Sequence, residues 1–390
     1  MANTNLANAK TAKNDEFYTQ YPDIQKEINA YLDYNPNVFR GKTVLLPCDD
    51  PEWSNFTKFF AQNFELLGLK KLISTSYAPE SKKYKMPYQP TLFETSQPYY
   101  NVDKSKTNGK IFVLDRDVTG DNRINIDDLQ WQYLEGDGDF RSKEIKALRD
   151  EADIIVTNPP FSLFREFVAW LMEGQKQFVI IGTMNAISYK EIFPLLMNDK
   201  MWLGNGFQNG NAYFRIVNER DYADGVYDAE TGLVKFRNCC WFTNIDHGRR
   251  HKPLKLMTMV ENFKHSKHKE VRGLKEYIHY DNCNAIEVPY TDAIPSDYLG
   301  VMGVPISFLD KYCPEQFEIT GITKTWYGFA DKTYPDQIQI SKDGKQSKVT
   351  KLNDGATIEL LEKPEAETYY IVDGKMYTQV YARVLIRKKQ

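Results

Sequence analysis

Apolar residues recur along the first half of the chain with two alternating periods. In "YPDIQKEINAYLDY" (21–34), Ile24, Ile28, Tyr31 and Leu32 fall on one side of a helical repeat, which predicts an amphipathic helix. "KTVLLPCDD" (42–50) is instead a short unbroken apolar run ending in polar residues, the pattern of a buried strand. The two patterns then alternate. "NFTKFFAQNFELLGL" (55–69) predicts a helix, "KKLISTSY" (70–77) a strand and "GKIFVLDRD" (109–117) another strand. "SKEIKALRDEA" (142–152) predicts a helix, "DIIVT" (153–157) a strand, "LFREFVAWLMEG" (163–174) a helix ended by Gly174, and "QFVIIGT" (177–183) a strand. Such alternation predicts an α/β fold, a doubly wound, open and mostly parallel sheet with helices on both faces.

After residue 205 the pattern changes. "GNAYFRIV" (210–217) and "LVKFRNCCWFTNI" (233–245) read as two antiparallel strands around a Gly- and Asp-rich connection. From Lys255 onward a basic segment mixes with short strands such as "QIQIS" (337–341) and "TYYIVDG" (368–374), a mixed α+β composition. No internal repeat or low-complexity tract is visible. A chain of 390 residues exceeds what one hydrophobic core usually covers. The expected division is a polar, mobile arm at 1–14, a first domain at 15–255 and a second at 256–390.

Composition narrows the function classes. Hydrophobic residues make up 42% and charged residues 26%, ordinary for a globular protein. No apolar run approaches the roughly 18 to 20 residues of a membrane span, and the start lacks the apolar stretch of a secretory signal. Cys48, Cys239, Cys240, Cys283 and Cys313 are odd in number and form no CxxC pair. Neither a disulfide framework nor a zinc knuckle is indicated, and a cytoplasmic location with reduced thiols is expected.

A net charge of −3 advertises no nucleic-acid binder, but the local distribution does. Between Arg249 and Lys275 stand nine cationic residues, Arg249, Arg250, Lys252, Lys255, Lys264, Lys267, Lys269, Arg272 and Lys275, against two acids, Glu261 and Glu270. A solvated, lysine-rich connector is one reading of this stretch; a phosphate-contacting segment is the other.

The residues most suggestive of chemistry follow the strand at 153–157. Asn158-Pro159-Pro160-Phe161 sits where the chain leaves the sheet, and open α/β sheets bind ligands outside the carboxyl ends of their strands. Two prolines make a rigid loop without N–H donors. The Pro159 carbonyl and the Asn158 side-chain oxygen are two acceptors, and Phe161 adds an aromatic face. That set suits a planar group carrying an exocyclic NH2, such as a nucleobase. The bland reading is a tight turn in which Ser162 caps the following helix.

The Asn-Pro-Pro-Phe loop resembles the catalytic loop of amino methyltransferases. Together with "KNDEFYTQY" (13–21), "VLLPCDD" (44–50), "GDGDFRSKEI" (136–145) and "ADIIVTNPPFSLFREFV" (152–168), in that order, it resembles the EcoRI-type adenine-specific DNA methyltransferase family. The resemblance is clear over roughly residues 8 to 255. It implies a Rossmann-like methyltransferase sheet with an antiparallel terminal hairpin, and a C-terminal mixed α+β region that recognises target DNA. It implies S-adenosyl-L-methionine as donor, S-adenosylhomocysteine as product, and no metal. Double-stranded DNA would be the partner, met by a monomer in a bacterial or phage setting, alone or alongside a cognate restriction endonuclease. Asn158 and the Pro159 carbonyl would hold the N6 amine of a flipped adenine, with Pro160 stiffening the loop and Phe161 stacking on the base. Phe17, Tyr18 and Thr19 match the segment at the donor's methionine end. Pro47, Cys48, Asp49 and Asp50 match the loop after the first strand, and Asp139 with Phe140 the grip on the donor's adenine. Ser76 and Tyr77 fall where an acid often holds the ribose, yet no acid is present. "PCDDPEWSNF" also departs from the glycine-rich loop of related enzymes, a departure that the EcoRI-type family shares.

Two other patterns compete for a role. Pro47-Cys48 is the dipeptide that carries the nucleophile of cytosine-C5 methyltransferases, but here it ends the first strand rather than the base-facing loop. "DVTGDNRINIDD" (117–128) has Asp117, Thr119, Asp121, Asn125 and Asp128 at calcium-ligand spacing, with Asn122 where glycine is wanted and no glutamate at the twelfth position. A solvated acidic loop accounts for it. Cytosine-N4, RNA and protein-glutamine methylation use the same chemistry and stay open, as does a DNA-binding protein that no longer catalyses.

Overall fold

The computed structural model describes residues 18–49, 54–79, 92–95, 99–207, 211–215, 225–365 and 367–389, so the N-terminal arm at 1–14 lies outside the described residues. The chain is mixed α/β and forms two compact units, residues 1–184 with 201–248 and residues 185–200 with 249–390.

The first unit contains, in chain order, β1 (Tyr18–Thr19), α1 (Tyr21–Tyr34), β2 (Thr43–Leu46), α2 (Asn55–Gln62), β3 (Lys71–Thr75), β4 (Lys110–Leu114) and β5 (Gln130–Tyr133). There follow α3 (Lys143–Glu151), β6 (Ile154–Thr157), α4 (Phe164–Glu173), β7 (Gln177–Thr183), β8 (Trp202–Leu203), β9 (Ala212–Arg215), β10 (Tyr227–Asp228), β11 (Leu233–Phe236) and β12 (Cys239–Thr243). Eight strands form the main sheet in the order β5-β4-β3-β2-β6-β7-β12-β8. The central four, β3, β2, β6 and β7, are parallel. Both flanks are antiparallel: β4 on β3 and β5 on β4 at one side, β12 on β7 and β8 on β12 at the other.

Every residue of β2 and β6 is buried, which is why those segments read as unbroken apolar runs. On one face, Ile24, Ile28 and Tyr31 of α1 and Phe56, Phe59 and Phe60 of α2 share a core with Val44, Leu46, Ile154, Val156, Val179 and Ile181. On the other, Phe164 of α4 meets Phe242 of β12 with ring centroids 5.1 Å apart. Each such buried side chain contributes on the order of 1.5–3 kcal/mol.

Several expectations need correcting. The helix predicted over 55–69 breaks at Asn63 into Asn55–Gln62 and Phe64–Leu67. The Asn63 amide donates to the Phe59 carbonyl at 2.8 Å and competes with the helical ladder. Ser162 does not cap α4: residues Phe161–Leu163 form one tight 3-10 turn, and Leu163 stands at the cap without a side-chain bond. The run 233–245 is two strands. β11 alternates between partly exposed and buried positions and pairs with β9 from Leu233↔Arg215 to Phe236↔Ala212, in a small sheet of order β1-β9-β11-β10. β12 is buried throughout and belongs to the main sheet. One strand has a single covered face and the other has two, a difference that outweighs their continuity in sequence.

The second unit contains helix α5 (Met259–His265), with a capping box between Thr258 and Glu261. Its first sheet has the order β13-β14-β21-β15, comprising Ile286–Glu287, Met302–Pro305, Arg383–Lys388 and Phe317–Ile322. Its second has the order β17-β16-β19-β20-β18, comprising Gln346–Val349, Gln337–Ile340, Tyr369–Val372, Lys375–Gln379 and Thr357–Leu360. Arg383 holds Glu287 at 2.6 Å through Nη2, and the Tyr280 hydroxyl donates to the same carboxylate, a buried charge that is paired and bonded.

Glu27 breaks the apolar face of α1 and is 1% exposed. Its carboxylate accepts from the Tyr31 hydroxyl at 2.6 Å, the Asn205 N–H at 2.9 Å and the Gly206 N–H at 3.0 Å. Neighbouring Gly204 must be glycine, since a Cβ there would lie 2.0 Å from Glu27 Oε1. Glu27→Ala strands one buried and two half-buried donors, and we expect it to cost about 3 kcal/mol, read as a lower urea midpoint at unchanged slope.

Candidate active site

The carboxyl ends of the parallel strands gather most of the residues singled out in the sequence. β2 leads into Pro47, Cys48 and Asp49, β3 into Ser76 and Tyr77, and β6 into Asn158, Pro159, Pro160 and Phe161. Phe17 and Asp50 lie outside the described residues. Tyr18 and Thr19 join from β1, paired with Arg215 and Phe214 of β9. The Asn55 amide, at the start of α2, donates to the Thr19 carbonyl at 2.7 Å. The Thr19 hydroxyl is buried and makes no hydrogen bond among the described residues.

Asp49 is 6% exposed, and each of its carboxylate oxygens accepts a hydroxyl. Ser54 donates to Oδ1 at 2.7 Å and Thr157 to Oδ2 at 2.6 Å. Its own N–H donates to the Thr75 carbonyl at 3.1 Å, and its carbonyl accepts from Ser74 at 2.8 Å. Thr57 of α2 completes the set, 2.8 Å from Ser74 Oγ. Four hydroxyls, on Ser54, Thr57, Ser74 and Thr157, were thus missed in the sequence. Their signal is weak but real: a hydroxyl residue at or beside the carboxyl end of an otherwise apolar strand, or at a helix start.

Cys48 is half-buried, and desolvation, reinforced by the charge of Asp49, pushes its thiol well up. That shift disfavours the thiolate on which a cytosine-C5 nucleophile depends. Asn158 and Phe161 are partly exposed, and the Leu163 N–H returns to the Pro160 carbonyl at 2.9 Å to close the turn.

Ser76 extends the β3–β4 pairing: its N–H donates to the Lys110 carbonyl at 2.9 Å and its hydroxyl accepts from the Lys110 N–H at 3.2 Å. Against it lies the segment 136–139, where the Ala78 N–H donates to the Asp137 carbonyl at 2.7 Å. Asp139 is clasped by Arg141, Nε to Oδ1 at 2.9 Å and Nη2 to Oδ2 at 2.6 Å. That guanidinium holds the Asp139 carboxyl below its ordinary range. The Phe140 ring is buried and packs edge-on against Phe167 and Trp170, with centroids at 5.1 and 5.8 Å.

The acidic loop is organised by its own backbone. Asp117 accepts from the Gly120 and Asn122 N–H groups, and Asp128 from those of Val118, Thr119 and Asn125. Asp117, Asp121 and Asp128 bring carboxylate oxygens within 4.8 Å of one another, and the turn is held by these N–H bonds.

Comparison with known proteins matches residues 5–389 to the family model described as adenine-specific methyltransferase EcoRI. This chain belongs to that family. The Type II methyltransferase M.EcoRI of Escherichia coli is 40% identical over 322 residues, covering 82% of this chain and 89% of that protein. The Type II methyltransferase M.MpnI of Mycoplasma pneumoniae is 32% identical over 328 residues, or 83% and 87% of the two chains. M.MgeORF184P of Mycoplasma genitalium is 31% identical over 391 residues, or 98% of each. No solved structure gives a significant match.

In this EcoRI-family chain the basic stretch divides in two. Arg249 pairs with Asp310 at 2.5 Å, Arg250 with Asp199 at 2.6 Å and His251 with Glu315 at 2.7 Å, all within the second unit. Lys252, Lys255, Lys264, Lys267, Lys269 and Arg272 are exposed, Lys267 meeting Asp292 at 2.7 Å. Exposed pairs of that kind contribute little, so these cations remain available to a phosphate.

Gly138 is where the site tolerates least change. Its φ is +84°, and a Cβ would lie 2.2 Å from the Ser76 carbonyl oxygen. Gly138→Ala must push 137–139 off the β3 terminus. We expect about 1–3 kcal/mol of lost stability, and a rise in the KM for the methyl donor larger than that for DNA; equal fold-changes in the two KM values would show that this segment does not border the donor.

Proposed function

We infer that the protein is a site-specific DNA methyltransferase that transfers a methyl group to N6 of an adenine swung out of duplex DNA. The observation that carries this reading is the Asn158–Phe161 loop at the carboxyl end of β6, a central parallel strand, beside the loops at 47–49, 76–77 and 137–139. The strand order, with helices on both faces and β12 and β8 closing one edge antiparallel, supports a Rossmann-like doubly wound sheet.

The donor set fits S-adenosyl-L-methionine. Thr19 offers a buried, unbonded hydroxyl, and Asp139 an ionised carboxylate that can accept from an adenine amine. Bound there, S-adenosyl-L-methionine supplies an electrophilic methyl group on a sulfonium. No glycine is needed where hydroxyls rather than close backbone approach shape the loop after β2.

Asn158 Oδ1 and the Pro159 carbonyl accept the two N6 hydrogens, which fixes the amine and draws its lone pair out of the ring. Phe161 covers the base and excludes water from it. So held, the N6 lone pair would be aimed at the methyl group that the donor supplies; transfer would release S-adenosylhomocysteine, and the surplus N6 proton would pass to water. Alignment does most of the work. Flipping costs a few kcal/mol and is recovered from contacts to the extruded base. The exposed cations at 252–272 in the second unit hold the phosphate backbone, and that unit reads the target sequence.

Methyl transfer from labelled donor to mixed-sequence duplex DNA, followed by nucleoside analysis, should give N6-methyladenine at one short motif. Asn158→Ala should lower kcat by about 10²- to 10³-fold with DNA affinity nearly unchanged. Label on cytosine, RNA or protein would overturn the assignment. A Lys252→Ala, Lys255→Ala, Lys264→Ala triple variant should flatten the salt dependence of binding by about 0.9 in slope per lost phosphate contact. An unchanged slope would return the segment to a solvated connector.

A further inference from the structure

Thr157 is the last residue of β6 and the immediate neighbour of Asn158, and it is fully buried. A hydroxyl at that place interrupts an otherwise apolar run, Ile154-Ile155-Val156. Its oxygen donates to Asp49 Oδ2 at 2.6 Å, across 108 positions of sequence. The other carboxylate oxygen is held by Ser54, which also caps α2 by accepting from the Phe56 N–H at 3.1 Å. The Asp49 main chain is fixed at both its N–H and its carbonyl to β3, through Thr75 and Ser74. Both carboxylate oxygens are therefore engaged, and one of them meets β6 at Thr157, the residue that precedes the proposed amine acceptor.

We propose that Thr157 is a positioning residue for the methyl transfer: its hydroxyl, anchored on the Asp49 carboxylate, sets Asn158 relative to the donor loop 47–49. The proposal rests on the reading of Asn158 as the amine acceptor. Its physical basis is a short, buried bond to a charged acceptor, stronger and more directional than a neutral one. In this arrangement Asp49 acts as an internal brace, since both oxygens are already engaged by hydroxyls. Because β6 is covered on both faces, its main chain cannot shift sideways. The Thr157 side chain fixes the strand terminus from which the first loop residue departs. Reach of the acceptor matters because displacement in line tolerates little error: a misplacement of about 1 Å can cost roughly 10²-fold in rate.

Thr157→Val keeps the shape and β-branching and removes only the donor, while Thr157→Ser keeps the donor and removes a methyl. Steady-state kinetics on duplex DNA, binding of S-adenosylhomocysteine and thermal melting should be measured for both. We expect the valine variant to lose between about 10- and 100-fold in kcat, with both KM values and S-adenosylhomocysteine affinity close to those of the original protein. The serine variant should recover most of the rate. The proposal is overturned if the valine variant keeps its kcat, if serine loses as much as valine, or if only the donor KM changes. Should the valine variant not fold, Thr157→Ala takes its place; it too removes the donor to Asp49, and an unchanged kcat would overturn the proposal. If the original protein itself forms no N6-methyladenine, it is the underlying assignment that fails, a result distinct from methylation that is indifferent to Thr157.

Discussion

A buried carboxylate, that of Asp49, is the constraint on which the candidate site depends. Water has been removed from it, so its oxygens must be answered inside the fold, and the hydroxyls of Ser54 and Thr157 do so while the Asp49 main chain bonds to Thr75 and Ser74. Those partners come from the start of α2 and the ends of β3 and β6. Meeting the needs of one anion thus gathers three elements at one edge of the sheet. The parallel core makes this possible, because β3, β2, β6 and β7 all present their carboxyl ends on the same side.

The chemistry follows from how rigidly that edge is held. The nearby thiol, Cys48, is pushed up by burial and by Asp49, which disfavours a thiolate there. The wall opposite is equally determined. Arg141 clasps Asp139, and Gly138 permits a backbone approach to Ser76 that any side chain would block. The loop after β2 carries no glycine among its described residues; the hydroxyl network of Ser54, Thr57, Ser74 and Thr157 shapes it.

The second unit applies the same economy to cations. Arg249 and Arg250 look identical in sequence to the lysines that follow them, yet their guanidinium groups pair within the unit with Asp310 and Asp199. Planar, forked side chains suit such fixed pairs. The lysines beyond stay in solvent, where a phosphate can replace water at small cost.

The sequence alone determined most of the central strands and helices of the first unit, because local burial imposes its own period. α1 spans the stretch whose spacing predicts it, and β7 coincides with "QFVIIGT". It also carries the acceptor set proposed at Asn158–Phe161, since those four residues are contiguous and their chemistry is written in their types. Tertiary structure decided whatever depends on residues far apart in the chain. The antiparallel course of β4, the break between β11 and β12 and the carboxylate of Glu27 inside an apolar face all answer to neighbours absent from the local pattern. So does the bond from Thr157 to Asp49: a threonine ending a strand is unremarkable in sequence, and becomes consequential only when a buried charge from another strand is folded against it.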